Sequence, residues 1–312
     1  MNQKAIDEMY MMRCLCLASQ GRQHSRPNPM VGAVLVAEGR IIGEGYHVRY
    51  GEGHAEVNAF RSVRAEDECL LSAATLYVSL EPCSHYGKTP PCADLIVQKR
   101  VKRVVVGCVD SFSKVCGRGI ERLRAAGIEV VVGVMEEECR WLNRRFFKFH
   151  EQGIPYIIIK YAQSADGFID HDGHAYAFST QLTRMAVHHL RAEEDAFVVG
   201  RVTAEREQPA LNVRYWAGRN PRRFVLSGSF GVEQLFSVCR EEALQSLIVE
   251  GGGETLRRFI AADLWDEIRV ETAPMQLGSG TKAPDLPANA VLMSCRKIDG
   301  NEIICYRRVS EI

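Results

Sequence analysis

The sequence predicts an α/β protein of two domains, and three observations carry that prediction. The chain has 312 residues, enough for about two domains of ordinary size. Strand-like runs alternate with helical periodicity along most of it, the pattern of a sheet covered by helices. The series pauses once, at Gln152-Gly153-Ile154-Pro155, and then starts afresh. We divide the chain there into domains 1–148 and 153–312. Hydrophobic residues make up 46% and charged residues 25%, so each domain has material for a core.

The elements follow in order. Ile6, Met9, Tyr10, Met12, Cys16 and Leu17 include the three- and four-residue spacings of a helix, which Pro27-Asn28-Pro29 breaks. Residues 31–36 and 40–45 read as strands joined by a turn near Glu38-Gly39. Residues 54–63 read as a helix, 75–80 as a strand, 91–99 as a helix and 101–109 as a strand. Residues 119–126 read as a helix ended by Gly127, 128–134 as a strand, and 136–150 as a charged, aromatic helix. In the second half, 156–162 is a predicted strand and 180–192 a helix. Four more strands are expected at 196–199, 222–226, 246–249 and 267–271. No internal repeat relates the halves.

Composition excludes several classes. Lys and Arg total 39, as do Asp and Glu, so the formal net charge is zero. General nucleic-acid binding relies on phosphate neutralisation and is not expected. No apolar run approaches the roughly 18 residues of a membrane span, so no membrane partner is expected. Met1 to Tyr10 carries Lys4, Asp7 and Glu8 with no apolar stretch behind them, which does not read as a signal peptide. The 11 cysteines are odd in number and irregular in spacing. They read as reduced thiols in a cytoplasmic protein.

One subset of cysteines has metal-ligand character. His54-Ala55-Glu56 lies at a predicted helix start, Pro82-Cys83 follows a predicted strand, and Cys92 follows Pro90-Pro91. One His and two Cys form a three-ligand zinc set with an open fourth position, the arrangement of a catalytic site. Glu56, two residues from His54, is placed to move protons over that position without ligating. A lone His or Cys is more often an ordinary core residue. The combination, with every member at an element end, points to a site. Cys14 and Cys16 are too close in a helix to share a face. Cys108 and Cys116 lack a nearby histidine, and the adjacent His188 and His189 diverge.

His-x-Glu followed by Pro-Cys is the pattern of the zinc nucleobase deaminases. This chain departs from the usual Pro-Cys-x-x-Cys by a longer insert between Cys83 and Cys92. The stretches PNPMVGAVLV, HAEVNAF and LEPCSHYGKTPPC resemble the deaminase half of the bifunctional riboflavin-biosynthesis deaminase–reductases, over roughly the first 148 residues. The resemblance implies a cytidine-deaminase-like α/β/α sandwich. It makes His54, Cys83 and Cys92 the ligands of one Zn2+ and Glu56 the catalytic proton shuttle. Asn28 would help hold the pyrimidine.

The second half is less legible alone. Val249-Glu250-Gly251-Gly252-Gly253-Glu254 lies between a strand and a helix, where glycines let backbone amides approach a phosphate. On its own it reads first as a plain tight turn, and Arg191 and Arg214, taken singly, read first as solvated surface residues rather than phosphate forks. IIIKYAQSADGFID, LRAEEDAFVVGRVTA, PALNVRYW and IVEGGGETL resemble, in order, the reductase half of the same family. That implies a dihydrofolate-reductase-like α/β domain using NADPH. By this resemblance Arg191, Leu211, Arg214 and Glu250 contact the ribosyl phosphate substrate. Ala162, Thr203, Glu207, Gly252 and Gly253 border NADPH. Glu207 stands where the family usually has Asp, and Glu207-Gln208-Pro209 replaces Asp-Asp-Pro. Ala175-Tyr176-Ala177 replaces Ser-x-Trp, which leaves Tyr176 and Ser179 as the nearest replacements.

The expected function is therefore a two-step enzyme acting on a small nucleotide-like molecule. The first domain would deaminate 2,5-diamino-6-ribosylamino-4(3H)-pyrimidinone 5′-phosphate. The second would reduce its ribosyl group to ribityl with NADPH. A homo-oligomer is expected. Two rivals stay open: a deaminase whose second domain only binds or assembles, and a nucleic-acid editing deaminase.

Overall fold

The computed structural model describes residues 2–86, 90–111, 117–208 and 210–309. The chain divides into two units, Met1–Gln152 and Gly153–Ile312. In the first, the elements are α1 (Gln3–Ser19), β1 (Gly32–Ala37), β2 (Arg40–Tyr46), α2 (Ala55–Arg61), a 3-10 segment (Ala65–Ala73), β3 (Thr75–Leu80), α3 (Cys92–Lys99), β4 (Arg103–Cys108), α4 (Arg118–Ala125), β5 (Glu129–Val132), α5 (Glu136–Leu142) and α6 (Arg144–Gln152). The strands form one sheet in the order β2-β1-β3-β4-β5. β1 is antiparallel to β2 and β3, and β3, β4 and β5 run parallel.

Alternate side chains of a strand point to opposite faces. On one face, Ala33, Leu35, Leu76 and Val78 pack with Ala59 and Phe60 of α2, Ile96 of α3 and Leu123 of α4. On the other, Val34, Val36, Tyr77 and Val105 pack with Met11 and Leu17 of α1, Cys139 of α5 and Phe146 and Phe147 of α6. This is a three-layer sandwich, and it explains why β1 is buried at every position and shows no polar alternation. Gly32 lets α1 lie directly on the sheet, since a Cβ there would stand 2.0 Å from the Cys14 carbonyl oxygen.

The second unit contains β6 (Tyr156–Gln163), α7 (Gln181–Glu193), β7 (Ala196–Gly200), α8 (Arg201–Glu207), β8 (Arg222–Leu226), α9 (Val232–Glu241), β9 (Ser246–Val249), α10 (Gly253–Ala261), β10 (Glu267–Thr272), β11 (Ala290–Ile298) and β12 (Asn301–Arg308). Its sheet order is β11-β12-β10-β6-β9-β7-β8. The five strands from β10 to β8 are parallel, and β12 and β11 add an antiparallel edge. Leu235, Phe236, Leu256 and Phe259 of α9 and α10 cover one face. Phe197, Val199 and Ile248 on the other face pack with Leu211 and with Leu190 and Ala204 of α7 and α8.

The structure departs from the sequence reading at identifiable places. The helix expected over 136–150 is broken after Leu142. The Asn143 side chain accepts from the Met30 amide and donates to the Met30 carbonyl, both at 2.8 Å, which holds that residue out of the helix. Helices α8 and α9, the 3-10 segment and the hairpin of β11 and β12 were not expected. Asp299-Gly300 turns that hairpin, with φ of 52° and 87°. This is the Asp-Gly preference of two-residue hairpin loops.

Unit one is tied together by a buried ion pair. Arg103 of β4 donates twice to Asp7 of α1, each bond 2.8 Å, and Tyr77 and Gln3 donate to the same carboxylate at 2.9 and 3.0 Å. Burial alone would lift the Asp7 carboxyl. Its donors outweigh burial and hold it below the usual carboxylate range. Such a group binds fewer protons folded than unfolded. Its contribution is complete above about pH 4 and is lost as pH falls through the folded value. Asp7→Ala should lower unfolding free energy by about 2 kcal/mol at neutral pH, since Arg103 loses its buried charged hydrogen bonds and keeps only the exposed Glu129 as a partner. In urea titrations the gap from wild type should close below about pH 4. An unchanged midpoint at neutral pH would show that the pair contributes nothing.

Candidate functional site

In the first unit two helix N-termini converge beside the end of β3. His54 is the N-cap of α2, in extended conformation, and its carbonyl accepts from Asn58 to start the helix. Cys92 is the first residue of α3, with Pro91 as its N-cap. Cys83 lies in the segment after β3, anchored where the Ala93 amide donates to its carbonyl at 3.1 Å. His54 Nδ1 lies 3.5 Å from Cys83 Sγ and 3.3 Å from Cys92 Sγ. The three ligand atoms all lie within 4.8 Å of one another, and among the described residues this is the one such group. Tetrahedral zinc with ordinary bond lengths separates N and S ligands by about 3.5 Å, so the side chains present fit the metal. Helix N-termini also favour the thiolate form. Hydrogen bonds from Cys92 and His54 pull the Cys83 thiol down to about 4. The bond with Cys83 lifts the imidazole to about 9.

Glu56, in the first turn of α2, is 3% exposed. Burial and the Cys83 charge raise its carboxyl to about 7. It adjoins the ligand group through Cys92 without belonging to it. A carboxyl poised near neutrality both takes and returns a proton.

Asn28 joins this site through a residue that the sequence reading missed. His47 Nδ1 donates to the Gly53 carbonyl at 3.2 Å, so its Nε2 accepts from Asn28 Nδ2 at 3.1 Å. The His47 ring also stands edge-on to His54, with centroids 5.5 Å apart. The imidazole thus couples the side-chain amide to the metal-ligand helix start. No local motif marked His47. Cys116 and the insert residues 87–89 lie outside the described residues, as does Pro209.

In the second unit Glu250, at the end of β9, is the hub. Its two oxygens meet Lys160 of β6 at 3.3 Å and Arg191 of α7 at 3.1 Å. Burial opposes its ionisation, but the two cations win and keep the carboxyl below its ordinary value. Arg191 also lies over the Phe197 ring at 5.1 Å. Lys160 is the second residue missed. It sits inside a stretch quoted for family resemblance, yet nothing in its spacing set it apart from other lysines.

Leu211 is buried in the small cluster with Phe197 and Ile248 and starts the segment that carries Arg214. Thr203 of α8 accepts from the Gly252 amide at 2.9 Å, joining two of the residues assigned to the cofactor. Gly253 opens α10. Desolvation and the charges of Glu250 and Asp170 raise the carboxyl of Glu207, an exposed residue in the field of the same cluster. Ala162 lies on β6 opposite Glu271 of β10. The Ser179 hydroxyl donates to Glu271 at 2.8 Å. Tyr176 is 40% exposed and packs on Phe178.

Both units match known protein families. Residues 4–108 match the family described as cytidine and deoxycytidylate deaminase zinc-binding region. Residues 155–244 and 231–301 match the RibD C-terminal domain. Riboflavin biosynthesis protein RibD of Aquifex aeolicus is 35% identical over 333 residues, covering 92% of this chain and 92% of the relative. The protein of that name from Bacillus amyloliquefaciens is 32% identical, covering 94% of this chain and 91% of the relative. Among solved structures, a diaminohydroxyphosphoribosylaminopyrimidine deaminase/5-amino-6-(5-phosphoribosylamino)uracil reductase from Thermotoga maritima aligns with a TM-score of 0.90. Its identity is 31%, and 99% of this chain and 100% of that one are covered. RibD of Acinetobacter baumannii aligns at 0.88 with 29% identity, covering 99% of this chain and 100% of that one.

Proposed function

The chain belongs to the RibD family of bifunctional riboflavin-biosynthesis enzymes, and from that premise we propose how its residues divide the work. It is a zinc-dependent pyrimidine deaminase in its first half and an NADPH-dependent reductase in its second. The substrate is 2,5-diamino-6-ribosylamino-4(3H)-pyrimidinone 5′-phosphate, which is deaminated before its ribosyl group is reduced to ribityl. The observation that carries the first half is the His54, Cys83 and Cys92 group with Glu56 buried beside it.

In the deaminase site His54, Cys83 and Cys92 would hold zinc as three protein ligands. When bound, zinc supplies an acidified water as the nucleophile. Glu56 would take a proton from the nucleophilic water and deliver it to the ring nitrogen; it would then take the proton of the hydroxyl added at the ring carbon and pass it to the departing amine, which leaves as ammonia. Asn28, oriented by His47, holds the pyrimidine. In the reductase site Arg191 and Arg214 anchor the phosphate. Arg191 and Arg214 both act on His188 between them, so two guanidinium groups stand near one point, as a bidentate phosphate anchor requires. Ala162, Thr203, Glu207, Gly252 and Gly253 would border NADPH, which when bound would supply the hydride for C1′ of the opened sugar. The protein's part is orientation.

Ammonia release and NADPH oxidation, followed separately with the purified chain, test the reading. Both are expected. A chain that releases ammonia but never oxidises NADPH on its own product would reduce the second half to a binding or assembly module. Arg191→Ala should raise KM for the deaminated substrate by about 10–100-fold and leave ammonia release unchanged, as befits a lost charged hydrogen bond. An unaltered KM would remove Arg191 from the phosphate site.

We also assign the chain to a homo-oligomer in the cytoplasm. β11 is a nine-residue edge strand that exposes Val291, Leu292 and Met293, a surface that proteins ordinarily cover. All described cysteines are free thiols, which suits a reducing compartment. Among the described residues no helix is long and apolar enough to cross a membrane. Sedimentation of the purified chain as a monomer at micromolar concentration would overturn the oligomer.

A further inference from the structure

Adjacent histidines on a helix point apart, and on α7 each holds a different part of one loop. His189 Nε2 lies 3.1 Å from Glu193, and its ring stacks against Trp216 with centroids 4.5 Å apart. His188 is turned inward and is 3% exposed. Its Nδ1 accepts the backbone N–H of Arg214 at 3.0 Å, with the Tyr215 amide also within 3.5 Å. Its ring meets Tyr215 nearly edge-on, centroids 4.8 Å apart at 72°. Arg214 lies over the same Tyr215 ring at 5.0 Å and donates to Asn212 at 2.8 Å. The His188 imidazole is therefore the buried anchor of the loop that presents Arg214.

We infer that His188 is a positioning residue of the reductase: by accepting the Arg214 amide it sets the aim of the Arg214 guanidinium toward the substrate phosphate. The inference rests on the assignment of Arg214 to that phosphate under the proposed function. An arginine on an unpinned loop must be ordered when substrate binds, and that ordering weakens binding. A pinned backbone removes the cost beforehand. The role requires an unprotonated Nδ1. Burial, then the charges of Arg191 and Arg214, lower the imidazole to about 4 against the opposing charge of Glu250. His188 is thus a neutral acceptor at physiological pH, with its proton on Nε2.

Two variants separate the acceptor from mere packing. His188→Leu keeps an apolar side chain of similar reach and removes the acceptor. His188→Asn places Oδ1 near the position of Nδ1 and restores one. In the full chain, His188→Leu is expected to raise KM for the deaminated ribosyl phosphate about 10-fold, as for one lost buried hydrogen bond. KM for NADPH should stay unchanged, which reports an intact fold of that unit. His188→Asn should return KM to within about threefold of wild type, since a neutral acceptor is again present. In an Arg214→Ala background, His188→Leu should add no further rise, because it acts through Arg214. Unchanged KM in His188→Leu, an additive rise in the double variant, or no rescue by Asn would overturn the inference. If Arg214→Ala alone leaves KM unaltered, the phosphate assignment of Arg214 fails instead, and the role of His188 falls with it.

Discussion

Glu56→Gln should lose ammonia release by about 10²–10⁴-fold, the usual contribution of a general acid–base group. Its zinc content should equal that of wild type, because Glu56 adjoins the ligand group without joining it. Glutamine keeps the volume and hydrogen-bonding reach of the side chain but cannot accept and return a proton. Burial and the neighbouring Cys83 raise the Glu56 carboxyl to about 7, and it is this poise that the substitution removes. Supplied with the deaminated intermediate, the variant should oxidise NADPH at the wild-type rate, since the two constellations lie in different units. Near-normal ammonia release would take Glu56 out of the proton path.

Cys83→Ala should purify with little zinc and without measurable deamination. Removing one of three protein ligands leaves His54 and Cys92, too few to retain a tetrahedral ion against exchange. Elemental analysis of the purified chain reads this directly. Exposed Cys69 and Cys295 provide the comparison, and their alanine variants should keep full zinc. Cys14 is fully buried against the sheet, so Cys14→Ala should keep zinc as well and lower stability instead. Undiminished zinc in Cys83→Ala would move the metal to other residues.

The first site was legible because its chemistry is carried by rare residue types at element ends. His54 caps a helix, Cys92 opens one, and Cys83 follows a strand, each position visible from pattern and turn residues. His47 was not visible, because its role is a pair of hydrogen bonds to Asn28 and Gly53 with no spacing rule behind them. The second site depends on arginines, lysines and glutamates, which look like ordinary solvated surface in a chain with 39 residues of each charge. Lys160 and Glu250 are set apart only by folding, which brings them within 3.3 Å of each other in a place with little exposure. The hairpin of β11 and β12 had a readable turn in Asp299-Gly300, which a reading led by helix–strand alternation passes over.

Taken alone, the sequence determined the α/β class, the division near residue 153, and the grouping of His54, Cys83 and Cys92 with Glu56 beside them. Local periodicity, turn residues and ligand chemistry act over short stretches and survive without a fold. The tertiary structure decided the two sheet orders and the break at Asn143 forced by Met30. It also decided the meeting of Lys160, Arg191 and Glu250, and the inward turn of His188 onto the Arg214 loop. These depend on contacts between residues far apart in the chain. An ionic or imidazole group acquires its special character only when folding removes water from it and brings a partner within hydrogen-bond distance.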